Sequence, residues 1–147
     1  MGNWEPPKEN SLEALNHGMS FSDGVEFDLR MDSDGELVIY HDEFVPGEGK
    51  LTERLIELLG TDELRKKGIM ALEDLFGNRD FISNWQSGGK TVDIEIKGPH
   101  PKAKIGLVDH FASMMAKLDM MVEDLGVPDK SVIVSSFSPK IIPVVKS

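Results

Sequence analysis

The sequence predicts an α/β domain built on a mostly parallel sheet. Three observations predict it. Strand-like and helix-like segments alternate from residue 69 onward. Four short segments, 25–31, 36–42, 91–97 and 131–137, are rich in Val, Ile, Leu and Phe and bounded by Gly, Pro, Asp or Ser. Each carries polar residues towards its carboxyl end, where parallel α/β folds build their sites.

Pro6-Pro7 makes residues 1–11 a loop. Ser11 is an N-cap for an amphipathic helix over Leu12–His17 that stops at Gly18. In Val25–Met31, apolar Val25, Phe27 and Leu29 alternate with Glu26, Asp28 and Arg30, the signature of a strand with two unlike faces. Asp34-Gly35 turns the chain into Glu36–Asp42, whose near-continuous apolar run predicts burial on both faces. A loop follows over Glu43–Lys50, then a helical stretch over Leu51–Lys67 interrupted near Gly60, where Thr61 or Asp62 caps its second half. A short helix or turn occupies Ile69–Phe76. The third strand is Thr91–Lys97, and Pro99 and Pro101 forbid its continuation as a helix. Ile105–Leu125 is a long helix with a methionine face (Met114, Met115, Met120, Met121) that reads as core packing, and Gly126 ends it. Ser131–Phe137 is the fourth strand, and Ser138-Pro139 opens a final short helix.

The 147 residues are enough for one domain with a real core, and no linker or repeat divides them. Sixteen basic against 26 acidic residues give a net charge of −10, which disfavours nucleic acid or an anionic membrane as partner and favours a divalent cation. Cysteine is absent, so disulfides and thiolate metal sites are excluded. No apolar run approaches the roughly 18 residues of a membrane helix. The polar start Met1–Glu5 predicts no signal peptide, so a cytoplasmic location is expected.

Glu26 and Asp28 share a face about 7 Å apart along their strand, close enough to converge on one cation. Asp93, Glu95 and Lys97 alternate against Val92, Ile94 and Ile96. A strand covered on both sides places such residues in an interior that is polar for a reason. A buried Glu95–Lys97 or Asp93–Lys97 pair serving packing alone is the plainer alternative. His17 and His110 read as surface residues.

Five pieces of sequence, in order, resemble the glycerophosphodiester phosphodiesterase family. They are Glu9–Ala14, Asp23–Asp28, Asp34–Asp42, Asp93–Lys97 and Ser135–Phe137. The resemblance runs from about residue 2 to 139 and implies a TIM-barrel fold, of which about four of eight strands are recognisable. Residues 1–147 are then a single incomplete domain. The resemblance implies hydrolysis of glycerophosphodiesters to glycerol 3-phosphate and an alcohol with a divalent cation. It implies that Glu26, Asp28 and Glu95 hold the metal, that His41 is one of two acid/base histidines, and that Lys97 contacts the phosphate. Three carboxylates suit Mg²⁺ or Ca²⁺.

The family's opening His-Arg-Gly motif places its glycine at Gly2, its arginine at Met1 and its histidine before the chain begins. Hydrolysis by the chain as written is therefore expected to be slow or absent. The alternative is a non-catalytic cation-binding or interaction module of the same descent. Open strand edges predict a homo-oligomer or a complementing segment.

Overall fold

The structure, a computed structural model, describes residues 11–45 and 54–136. Helix α1 (Leu12–Phe21) starts where expected, with Ser11 Oγ accepting from the Ala14 N–H at 3.1 Å. It does not stop at Gly18 but runs on to Phe21. Gly18 serves a contact instead: a Cβ there would stand 2.5 Å from Cγ1 of Val25. Glycine lets the helix lie directly on the strand that follows.

That strand, β1 (Gly24–Met31), is central to the sheet. Only residues 32–36 separate it from β2 (Leu37–Ile39). A parallel crossover needs about a dozen residues, so the two form an antiparallel hairpin with Leu29 opposite Ile39. Asp32 shapes the turn: its Oδ1 accepts from the N–H groups of Asp34 and Glu36 at 2.9 and 3.0 Å.

Two two-residue strands, β3 (Phe44–Val45) and β4 (Arg54–Leu55), pair beside this hairpin. They overturn the expected helical start of 51–67: Arg54-Leu55 is extended, Ile56–Leu58 is a 3-10 turn, and α2 spans only Thr61–Lys66. Its cap is supplied from far away. Gly60 has no side chain to offer, and Asp34 Oδ2 accepts from the Thr61 N–H at 2.9 Å, while the Thr61 hydroxyl donates to Asp32.

Helices α3 (Leu72–Phe76) and α4 (Arg79–Gln86) lead to β5 (Thr91–Ile96), then α5 (Leu107–Glu123) and β6 (Val132–Ser135). Sheet order is β2-β1-β5-β6, with β1, β5 and β6 parallel. The mostly parallel α/β sheet is therefore as the sequence predicts. It is open, and among the described residues it does not close into a barrel. At the β2 side, Val38 bridges to Ala71 and the Ile39 N–H donates to Met70 O at 2.9 Å.

One face of the sheet carries the main core. Phe27, Leu29, Val92, Ile94 and Ile96 pack against Leu15 and Met19 of α1, Leu72 and Leu75 of α3, Phe81 and Trp85 of α4, and Phe111, Met114 and Leu118 of α5. A second core joins Val38 to Val45, Ile56, Leu59, Leu64 and Ile69. Strand β2 lies between the two, which explains its apolar run. On α5, Met114 and Met115 are buried as expected, but Met120 is 67% exposed. Among the described residues no helix is long and apolar enough to cross a membrane. The fourth strand ends at Ser135, and the expectations for Phe137 and the Ser138-Pro139 helix lie outside the described residues.

His17 is exposed as expected; His110 is not. His110 is buried, and its Nε2 has no hydrogen-bond partner. Burial first, and the Arg30 guanidinium second, hold its imidazole below the usual pKa. The unfolded chain takes up a proton near pH 6.5 that the folded one refuses. Stability should therefore fall as pH drops through about 6.5, by at most about 1.4 kcal/mol per pH unit. Urea unfolding of the wild type and His110→Leu at pH 8 and pH 5.5 checks this. The wild type should lose more stability than the variant, and parallel losses would contradict the assignment.

Candidate active site

Alternation along β1 and β5 turns Glu26, Asp28, Arg30, Asp93 and Glu95 away from the helices. Register then pairs them across the sheet: Glu26 lies opposite Asp93, Asp28 opposite Glu95, and Glu95 opposite Ser135. Asp28 and Glu95 are buried at 5% and 7% exposure, although both are acids. They hydrogen-bond to each other, and Glu95 Oε2 lies 2.9 Å from Lys97 Nζ.

Burial pushes the Glu95 carboxyl up. The hydrogen bonds from Asp28 and Lys97, with the positive fields of Lys97 and His41, outweigh it and hold Glu95 below the usual carboxylate range. Two buried carboxylates side by side must share a proton or a cation. Their oxygens are the donor type that a divalent cation takes. Of the three carboxylates expected to hold a metal, the structure brings two together. Glu26, two residues earlier on the same face, is exposed, and among the described residues no three acidic or histidine side chains are placed to hold one metal ion.

His41 reaches the site because the hairpin returns. The Tyr40 N–H donates to Asp28 O at 3.1 Å, which places the next residue at the level of the carboxylate pair. The His41 ring is exposed, with Nδ1 2.9 Å from Asp42 Oδ1. An ionised carboxylate only accepts, so Nδ1 donates to it and Nε2 is the ring nitrogen left to exchange a proton.

A cleft of about 630 Å³ opens between residues 40–44 and Lys97-Gly98, with Arg30 at its floor. The sequence reading did not single out Arg30, Glu43 or Phe44. Only Arg30 had a signal: it continues the Glu26, Asp28 alternation. Arg30 donates from Nε and Nη2 to His41 O at 3.2 and 2.8 Å, and from Nη1 to Gly98 O at 2.9 Å. His100 lies beside the cleft: its Nδ1 accepts from the Lys102 N–H, its Nε2 is 3.3 Å from Glu43 Oε2, and its ring meets Phe44 edge-on at 5.2 Å. Ser135 Oγ lies 3.4 Å from Asp93 Oδ1, at the far side of the same face.

A family model described as the glycerophosphoryl diester phosphodiesterase family matches residues 2–147. No curated protein matches the sequence significantly. Among solved structures, a glycerophosphodiester phosphodiesterase from Thermotoga maritima is 26% identical with a TM-score of 0.61, over 91% of this chain and 50% of that one. One from Agrobacterium tumefaciens is 22% identical with a TM-score of 0.61, over 94% and 56% of the two chains. A phosphodiesterase from Oleispira antarctica, solved with the product sn-glycerol-3-phosphate, is 20% identical with a TM-score of 0.68, over 93% and 55%. The chain spans about half the length of these structures.

Proposed function

The chain belongs to the glycerophosphoryl diester phosphodiesterase family, and on that premise we propose that its site serves the hydrolysis of a glycerophosphodiester to glycerol 3-phosphate and an alcohol with a divalent cation, with turnover by the chain as written slow or absent. The observation that carries the reading is that Asp28 lies opposite Glu95 in the sheet, Glu95 is 2.9 Å from Lys97, and Lys97 lines one cleft with His41. Asp28 and Glu95, with Glu26 contributing from the same face, would hold Mg²⁺ or Ca²⁺. When bound, such a cation polarises phosphoryl oxygens and offsets negative charge in the transition state. Lys97, anchored on Glu95, brings positive charge to where a phosphate would sit. His41 Nε2 takes a proton from the attacking hydroxyl, or returns one to the leaving oxygen.

Release of glycerol 3-phosphate from glycerophosphocholine by the purified chain, with Mg²⁺ or Ca²⁺, tests the reading. Cation binding has its own test. A cation at a hundred times its Kd should stabilise the wild type by about 2.7 kcal/mol. Asp28→Asn should abolish this stabilisation while keeping the cation-free fold intact, because an amide donates to Glu95 without needing a proton. An unchanged cation-dependent rise in Tm in that variant would exclude the pair as ligands. Retained binding with no product release would fit the non-catalytic cation-binding module.

The polar face also needs cover. Strand β6 carries no further strand among the described residues, and Ile133 on it is 48% exposed. A second copy or a complementing segment is expected there. Sedimentation of the purified chain as a compact monomer would rule out the copy.

A further inference from the structure

We propose that Arg30 is a positioning residue: its guanidinium fixes the backbone that carries His41 and the backbone that follows Lys97, and Glu57 sets where that guanidinium sits. The proposal rests on the reading of His41 and Lys97 as working side chains.

His41 and Gly98 both lie just past the ends of their strands, β2 and β5. Their carbonyls point at one side chain, 11 and 68 residues away in sequence. Arg30 satisfies both with three N–H groups of a planar fork whose geometry is rigid. The segment bearing the acid/base candidate is thereby tied to the segment bearing the phosphate candidate.

Arg30 is 4% exposed, and a buried cation needs a counterion. Glu57 supplies it, with Oε1 3.6 Å from Nη1. Glu57 is itself 3% exposed, and neither of its oxygens has a hydrogen-bond partner. Burial pushes its carboxyl up, and the Arg30 charge beside it draws it back. Its neighbour Ile56 is fully buried in the second core, beside Val38 and Val45. The 3-10 turn that follows β4 thus has a task at the cleft. It delivers a carboxylate that holds Arg30, which in turn holds the two site segments.

The test compares wild type, Arg30→Lys, Arg30→Met and the near-isosteric Glu57→Gln. Lysine keeps the charge but cannot span both carbonyls as a fork. Arg30→Lys should lower kcat for glycerophosphocholine by about a hundredfold, the effect of roughly 1 Å of misplacement. KM should rise as the Lys97 segment shifts, while the cation-dependent rise in Tm should stay within about twofold of wild type, because the Asp28 and Glu95 carboxylates keep their strand register. Independently of turnover, NMR should show the His41 ring signal and the Gly98 amide moved in all three variants, with the His17 signal on α1 unmoved as reference. If the wild type does not turn over, the hydrolytic reading fails while the NMR comparison still decides this one. If Arg30→Met does not fold, Glu57→Gln decides. Unmoved His41 and Gly98 signals in a folded variant, or equal falls in kcat and in thermal stability rescued by lysine, would overturn the proposal.

Discussion

His41→Ala is expected to lower the turnover of a glycerophosphodiester by about 10²–10⁴-fold, the range contributed by one well-placed acid or base. The geometry gives the reason. Asp42 accepts from Nδ1, so Nε2 is the atom that exchanges protons. Alanine removes that atom and leaves the Asp28–Glu95–Lys97 group intact, so KM should stay nearly constant while kcat falls. Steady-state release of glycerol 3-phosphate by wild type and variant, at saturating Mg²⁺ or Ca²⁺, measures it. A variant within threefold of a measurably active wild type would remove His41 from the chemistry.

The largest effect on stability is expected from Trp85→Ala, at about 3–5 kcal/mol. Trp85 is fully buried at the junction of α4 with the main core, with ring centroids 5.8 Å from Phe76 and 6.0 Å from Phe81. Its Nε1–H donates to Ser131 Oγ at 2.8 Å, and the Ser131 hydroxyl donates in turn to Pro128 O. Alanine opens a cavity and also strips a partner from buried Ser131, just before β6. Trp85→Phe keeps most of the ring area and loses only the hydrogen bond, so it should cost about 1–3 kcal/mol. Urea denaturation gives both values. A loss below about 1 kcal/mol for Trp85→Ala would show that α4 is not part of the cooperative core.

What could be read in advance depended on how local the cause was. Ser11 caps its own helix three residues on, and the alternation of β1 sorts its own two faces, so both were legible. The two-sided burial of β2 was written in Leu37-Val38-Ile39. Gly18 misled because its small size serves Val25, on the next element. The start of α2 misled because its cap comes from Asp34, 27 residues earlier. Helix α4 went unnoticed because its mostly polar Arg79–Gln86 has only Phe81 and Trp85 as fully buried anchors. In the site, Asp28, Glu95 and Lys97 follow a period of two and stood out. Arg30 stood on the same face, but its partners are backbone carbonyls, and a sequence does not show where carbonyls point. His110 deceived for a related reason: a polar residue beside Phe111 on a helix reads as solvated, and here the chain buries it without a partner for Nε2.

The Val38–Ala71 bridge and the Ile39–Met70 bond give the sheet a direction of growth. They blunt the β2 side, so among the described residues the β6 side is the edge left for an incoming strand to join. Symmetry then restricts what that strand can be. Two identical β6 strands meeting across a twofold axis run antiparallel by necessity. A strand that continues the parallel pattern of β1, β5 and β6 must differ from β6 in sequence and arrive with its own crossover. Self-pairing and completion of the parallel sheet are therefore mutually exclusive uses of one edge.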